Sequence, residues 1–221
     1  MEPDRWATIT ARYDVVESAL TVGEHQLRLS HVRDINALVD AMGPEDFGPD
    51  ERLPYWATLW PAARGLALHL TTLATPLGRT IELGAGLGLA AIVAALRGAD
   101  AIATDYEPDA LEFARQNARL NRARVAVRQC DWRDWSGAEE LAHQFQTVLG
   151  ADLVYEQRNV DPLAESVAWL LAPGGRAWIA DPGRPYLPSL QRALEERGLS
   201  VCRIPTADAV ILEATFTRGL V

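Results

Sequence analysis

From residue 79 to residue 217 short apolar runs alternate with longer amphipathic stretches, and few architectures accept that order. Runs at 79–83, 100–104, 124–129, 146–153 and 175–180 read as strands. Stretches at 87–97, 107–120, 160–171 and 186–197 read as helices, with a further helical stretch near 137–144. Strands separated by helices run parallel, and a parallel sheet covered on both faces needs uninterrupted apolar strands such as "TVLGADLV". Two last strands, 199–204 and 208–217, have no helix between them and should form an antiparallel β-hairpin at one edge. The expected fold is α/β, a doubly wound sheet of seven strands.

Upstream, "RYDVVESALTVGEHQLRLSHV" (12–32) carries two β-leaning runs around Val22-Gly23-Glu24 and predicts a hairpin; "RDINALVDAM" follows as a short helix. "GPEDFGPDERLP" (43–54) reads as an exposed loop. "WPAARGLALHLTTL" (60–73) starts a helix with Pro61 at its first position and puts Leu66, Leu70 and Leu73 on one face. "LLAPGG" (170–175) reads as a helix C-terminus with glycine caps. Residues 1–50 are therefore expected to form a small hairpin-and-helix extension on the substrate side, and 51–221 the main domain.

Charge and composition narrow the function. A net charge of −9 disfavours nucleic acid and anionic membranes as partners. All 21 basic residues are Arg, which removes Schiff-base chemistry, a phosphate-binding Lys and a Lys base together. Two cysteines, Cys130 and Cys202, make no disulfide framework, and the first ten residues have no apolar signal core, so a cytoplasmic setting is expected. His25, His31, His69 and His143 are scattered without metal-ligand spacing, and no metal site is expected.

"IELGAGLGLAAIVAALRGADAIATD" (81–105) joins strand, glycine turn, helix, second strand and a carboxylate. Gly84, Gly86 and Gly88 lie where a ligand must approach the backbone closely, and Asp105 ends the next strand, where a carboxylate accepts ribose hydroxyls. A dinucleotide fingerprint needs a third glycine where this chain has Leu89. Glu82, two residues ahead of the turn, repels a pyrophosphate and suits a ligand carrying an ammonium and a sulfonium.

In a doubly wound sheet the first and fourth strands are neighbours at the switch point where ligands bind, so "LGADLVYEQ" (149–157) should face the reactive end of the cofactor. There Asp152 attracts and orients an ammonium while Tyr155 offers a ring face and a polar tip. In "CDWRDW" (130–135), Asp131 and Trp132 are candidates for the adenine, with Trp135 structural. Trp60 is another aromatic placed to cover the cofactor. In "ADPGRPYLP" (180–188), Arg184 pairs either with Asp181, pinning the loop, or with an acid on a substrate.

The joint presence of "ELGAGLGL", "TD", "LEFARQN" and "LGADLVY" resembles methyltransferase family 16, the seven-strand protein-lysine methyltransferases with a D-x-x-Y motif after the fourth strand. "WATLWPAARGLALHL" and "DPGRPYL" resemble the branch holding the electron-transfer-flavoprotein β-subunit lysine methyltransferase and its bacterial relatives. The resemblance spans about residues 54–218. It implies a Rossmann-like S-adenosyl-L-methionine (SAM) methyltransferase fold, with SAM contacted by Trp60, Gly84, Ala85, Gly86, Asp105, Trp132 and Ala151. With Glu82, Gly88, Tyr106 and Asp131 these complete the candidate cofactor-binding set; Asp152 and Tyr155 are the candidate catalytic pair.

The expected activity is SAM-dependent N-methylation, with a protein lysine as the first choice of acceptor. The alternatives are a small-molecule amine as acceptor and a non-catalytic SAM-binding subunit. An oxidoreductase using a nicotinamide dinucleotide is disfavoured by Leu89 and by the terminal hairpin.

Overall fold

The structure is a computed structural model that describes residues 5–43 and 53–217. Helix α1 (Arg5–Arg12) leads into the antiparallel pair β1 (Val15–Val22) and β2 (His25–Val32), then α2 (Ile35–Asp40). Asp34 caps α2, its Oδ1 accepting the Asn36 and Ala37 N–H groups. The exposed loop expected over 43–54 falls mostly on residues 44–52, which lie outside the described residues, as does the boundary after residue 50.

A 3-10 turn (Tyr55–Ala57) precedes α3 (Pro61–Thr72). The alternation follows: β3 (Arg79–Leu83), α4 (Leu89–Leu96), β4 (Asp100–Asp105), α5 (Pro108–Leu120), β5 (Val125–Gln129), β6 (Phe145–Ala151), α6 (Val160–Leu170), β7 (Leu171–Asp181), α7 (Leu187–Glu196), β8 (Leu199–Pro205) and β9 (Val210–Phe216). The seven strands β3 to β9 form one sheet in the order β5-β4-β3-β6-β7-β9-β8, parallel except for β9, which is antiparallel to both neighbours. The expected terminal hairpin is therefore the β8–β9 edge.

Successive residues of the central strands enter opposite cores. Ile81, Val148 and Ile179 point to the face covered by α6 and α7; Leu149, Trp178 and Ala180 point to the face covered by α3, α4 and α5. Both faces are apolar, which is why these strands read as continuous hydrophobic runs. The extension closes onto the second of these layers. Asn117 on α5 and Asn121, one turn later at its C-cap, pair with Ser30 and Arg28 of β2. Four residues of helix rise about 6 Å and two of strand about 6.7 Å, so the spacings match and the outer edge of β2 is satisfied by side-chain amides.

Three local expectations are corrected. The stretch 137–144 is helical only as a 3-10 turn at Glu139–Leu141, flanked by Gly137 and by His143 with positive φ. "LLAPGG" is no helix cap: α6 ends at Leu170 and the chain turns extended at once, with Gly174 and Gly175 inside β7 where its register against β6 shifts. Helix α1, unforeseen, packs Trp6 edge-on against Phe113 and buries Ile9 beside it. Among the described residues no helix is long and apolar enough to cross a membrane.

Candidate active site

The carboxyl ends of the parallel strands surround a cavity of about 300 Å³ at the β3–β6 switch point. Its floor is the turn from β3 into α4. Gly84 has φ +53, and a Cβ there would meet Leu153 Cδ2 at 2.5 Å, so packing of the fourth-strand loop demands the glycine as much as any ligand does. Gly88 starts α4 in the left-handed region and has no side chain to cap it. Glu82 supplies the cap from below, its Oε2 accepting the Ala91 N–H at 2.8 Å. Burial pushes the Glu82 carboxyl up to about 8, against the pull of the Ala91 and Ala90 N–H groups.

Asp105, at the end of β4, is equally buried. Its Oδ2 accepts the Gly86 N–H at 2.9 Å and its Oδ1 the Glu107 N–H at 3.0 Å. Burial raises it to about 6. The Tyr106 N–H adds to these two donors, so three backbone donors orient a carboxylate that has about four lone-pair sites. Trp132, from the loop after β5, is buried beside Gly84, its Nε1 3.6 Å from where a Cβ at that glycine would stand. Tyr106 also lines the cavity.

At the opposite end stands Asp152, one residue past β6, with φ +61. Aspartate tolerates that region better than most residues, and strain of about 1 kcal/mol or more held beside a cavity is typical of a working site. Its Oδ1 lies 2.8 Å from Arg184 Nη1, a contact ion pair. Both carboxylate oxygens are buried, with Arg184 and the Ala62 N–H against them. Burial raises its pKa; Arg184 and the Ala62 N–H in the first turn of α3 oppose the rise, and Asp181 adds to it.

Aromatic rings form the mouth. Tyr155 and Tyr55 lie 5.5 Å apart, Tyr55 and Trp60 5.9 Å apart, and Trp60 Nε1 donates to the Tyr55 carbonyl at 2.6 Å. Tyr155 and Tyr55 are among the few large apolar side chains left exposed. Asn159 braces the loop beneath them, its Nδ2 donating to the Leu153 carbonyl.

Residues 57–181 match the family described as lysine methyltransferase, more than half of the chain. The chain belongs to that family. Among similar proteins is the protein N-lysine methyltransferase METTL21A of Danio rerio, 38% identical over 126 residues, covering 54% of this chain and 57% of the relative. Another is the electron transfer flavoprotein beta subunit lysine methyltransferase of Danio rerio, 33% identical over 138 residues, covering 59% and 51%. The chain thus spans about half the length of the curated relatives it matches. The fold is shared with the ribosomal protein L11 methylase of Lactobacillus delbrueckii subsp. bulgaricus, at TM-score 0.62 and 18% identity over 90% of this chain and 98% of that one.

In this lysine methyltransferase family member the cavity brings together Trp60, Glu82, Gly84, Ala85, Gly86, Asp105, Tyr106, Trp132, Ala151, Asp152 and Tyr155. Gly88 and Asp131 stand outside its lining. A Cβ at Gly88 would meet Ala114 of α5 at 3.1 Å, so that glycine serves helix packing. Asp131 turns away to hold Arg133 through two bonds of 2.9 and 2.8 Å, and Arg133 then lies 5.2 Å from the Tyr106 ring centre on the cavity wall. Trp135 stacks on Trp169 and donates to Ser166, a packing role.

Tyr55, Trp56 and Arg133 line the site without having been singled out. For the first two a signal existed: "LPYWATLW" crowds three aromatics ahead of α3. Arg184 meets both Asp181 and Asp152, a link the sequence alone did not supply.

Proposed function

We propose that this chain is a SAM-dependent N-methyltransferase that modifies a lysine side chain of a protein. One observation carries the reading: a buried carboxylate, Asp152, lines the same cavity as Glu82, Asp105 and the rings of Tyr55, Trp60 and Tyr155. A carboxylate beside aromatic rings suits a cationic guest, here an ammonium. Family membership and the named activity of the two relatives support the same conclusion.

The donor set fits SAM. Asp105 would accept the ribose hydroxyls, Glu82 would set a carboxyl below the methionine end, Trp132 and Trp60 would flank the adenine, and Ala151 would let SAM pass close. SAM supplies an electrophilic methyl group on a sulfonium. The protein's own task is to bring an amine lone pair in line with it, so Asp152 holds the acceptor nitrogen and Tyr55, Tyr155 and Trp60 confine the alkyl stem. Removing the amine from water beside a sulfonium would lower its pKa, and the proton would pass to solvent at the mouth without a strong base.

Residues 1–50 are taken as a substrate-side extension and 51–221 as the catalytic domain. The net charge of −9 favours a protein over a nucleic acid as acceptor, and free Cys130 and Cys202 favour a reducing cytoplasm. The test is incubation with methyl-labelled SAM and a cell lysate, followed by acid hydrolysis. Label recovered as methyl-lysine supports the proposal; label confined to small molecules overturns the protein acceptor.

A further inference from the structure

Arg184 is fixed before it reaches the acceptor site. Asp181, fully buried at the end of β7, accepts the Gly183 N–H at 2.8 Å, the Arg184 N–H at 2.6 Å and Arg184 Nη1 at 2.9 Å. From that seat the same Nη1, which carries two N–H groups, lies 2.8 Å from Asp152 Oδ1 and 2.9 Å from Asp181 Oδ2, so one nitrogen bridges the two carboxylates. The arrangement delivers positive charge to Asp152 at contact distance.

We propose that Arg184, held by Asp181, is a positioning residue: a fixed counter-ion that keeps Asp152 a carboxylate for the acceptor amine. The inference rests on the lysine-acceptor reading above. A loop pin needs only the Asp181 bonds; the reach across from β7 to the β6 loop is the part that pinning leaves unexplained.

The groups around Asp152 decide the balance. Burial favours the protonated acid, and Asp181 adds to that; Arg184 and the Ala62 N–H at the start of α3 favour the carboxylate. Glu82, Asp105, Arg133 and Tyr155 face the same cavity. A protonated Asp152 offers one donor and a weaker pull, whereas the carboxylate offers about four lone-pair sites. Arginine suits the task because it does not lose its proton in a protein. Its charge also disfavours a protonated amine nearby, so both effects hold the acidic limb of turnover at low pH.

The test is a titration of Asp152 by NMR on protein carrying ¹³C-labelled aspartate carboxyls, the signal assigned with Asp152→Asn, in wild type, Arg184→Gln and Arg184→Lys. Removing the charge in Arg184→Gln is expected to raise the Asp152 midpoint by about one pH unit or more, the scale of a carboxylate losing a contact cation. The acidic limb of kcat/KM for the labelled protein acceptor moves the same way. Lys retains charge but cannot serve both aspartates, and a smaller upward shift is expected; this variant carries the test if Arg184→Gln does not fold. An unmoved midpoint in a folded variant overturns the proposal and leaves Arg184 a loop pin. The titration needs neither SAM nor acceptor, so wild type that transfers no methyl group at any pH defeats the lysine reading separately.

Discussion

The Asn117 side chain on α5 pairs edge to edge with the Ser30 backbone on β2, its Oδ1 accepting the Ser30 N–H at 2.7 Å and its Nδ2 donating to the Ser30 carbonyl at 3.1 Å. The same Nδ2 donates to the carbonyl of Leu87, inside the glycine turn, at 3.0 Å. One buried amide thus ties the N-terminal hairpin to the cofactor floor. Asn117→Ala leaves three buried backbone groups without this partner, and each such loss costs about 1–3 kcal/mol. We expect a stability loss of about 3 kcal/mol in urea denaturation, together with weaker SAM binding by calorimetry. Unchanged SAM affinity in the folded fraction contradicts the link to the turn.

The glycine turn gives a pH-dependent stability. Glu82 is raised to about 8 and Asp105 to about 6, each above its ordinary value, chiefly by burial. The folded state therefore binds more protons than the unfolded chain as pH rises from about 4.5 to 8, and stability falls through that window. Glu82→Gln keeps an acceptor for the Ala91 N–H and removes the titration, so its stability is expected to decline less between pH 5 and 8. SAM, a cation, favours the ionised carboxylates; its affinity rises with pH over about 6–8 and its binding releases protons. Calorimetry in buffers of different ionisation enthalpy measures that release.

Gly84 and Leu153 form a second coupled pair. Gly84→Ala forces Leu153 out and places a Cβ at φ +53, with an expected cost of about 2–4 kcal/mol from overpacking and strain. Adding Leu153→Ala removes the clash but not the strain. A double-mutant cycle by denaturation is expected to give a coupling of about 1–2 kcal/mol. Strict additivity contradicts the contact as the reason for the glycine.

The sheet was legible because its strands are buried on both faces and read as apolar runs, and Leu89 with Glu82 already turned the glycine motif away from a dinucleotide. Helix α1 was not, because "RWATITAR" carries β-branched residues and gains its apolar face only by docking Trp6 and Ile9 beside Phe113. The glycines of "LLAPGG" carried the signature of a helix cap, yet β7 runs through them, with Leu171 and Arg176 on either side paired to β6. At the site, the local pair Asp181–Arg184 was visible in the sequence, while its contact with Asp152 depends on β6 and β7 lying side by side. Asp131 shows the converse: a carboxylate in the right loop is spent on Arg133 two residues away, a choice made by side-chain geometry rather than spacing.

The absence of Lys gives the decisive assay a clean background, since no side-chain amine of the enzyme itself accepts a methyl group. The most direct measurement is methyl transfer from labelled SAM to lysate proteins by wild type and by Asp152→Asn, each shown to be folded and to bind SAM. Asparagine adopts φ +61 as readily as aspartate, so the backbone is kept and only the charge is lost. We expect methyl-lysine formation to fall by about 100-fold or more, the scale at which a positioned catalytic group acts, with SAM affinity within about threefold of wild type. Undiminished methyl-lysine formation by Asp152→Asn contradicts the assignment of Asp152 as the group that holds the acceptor amine.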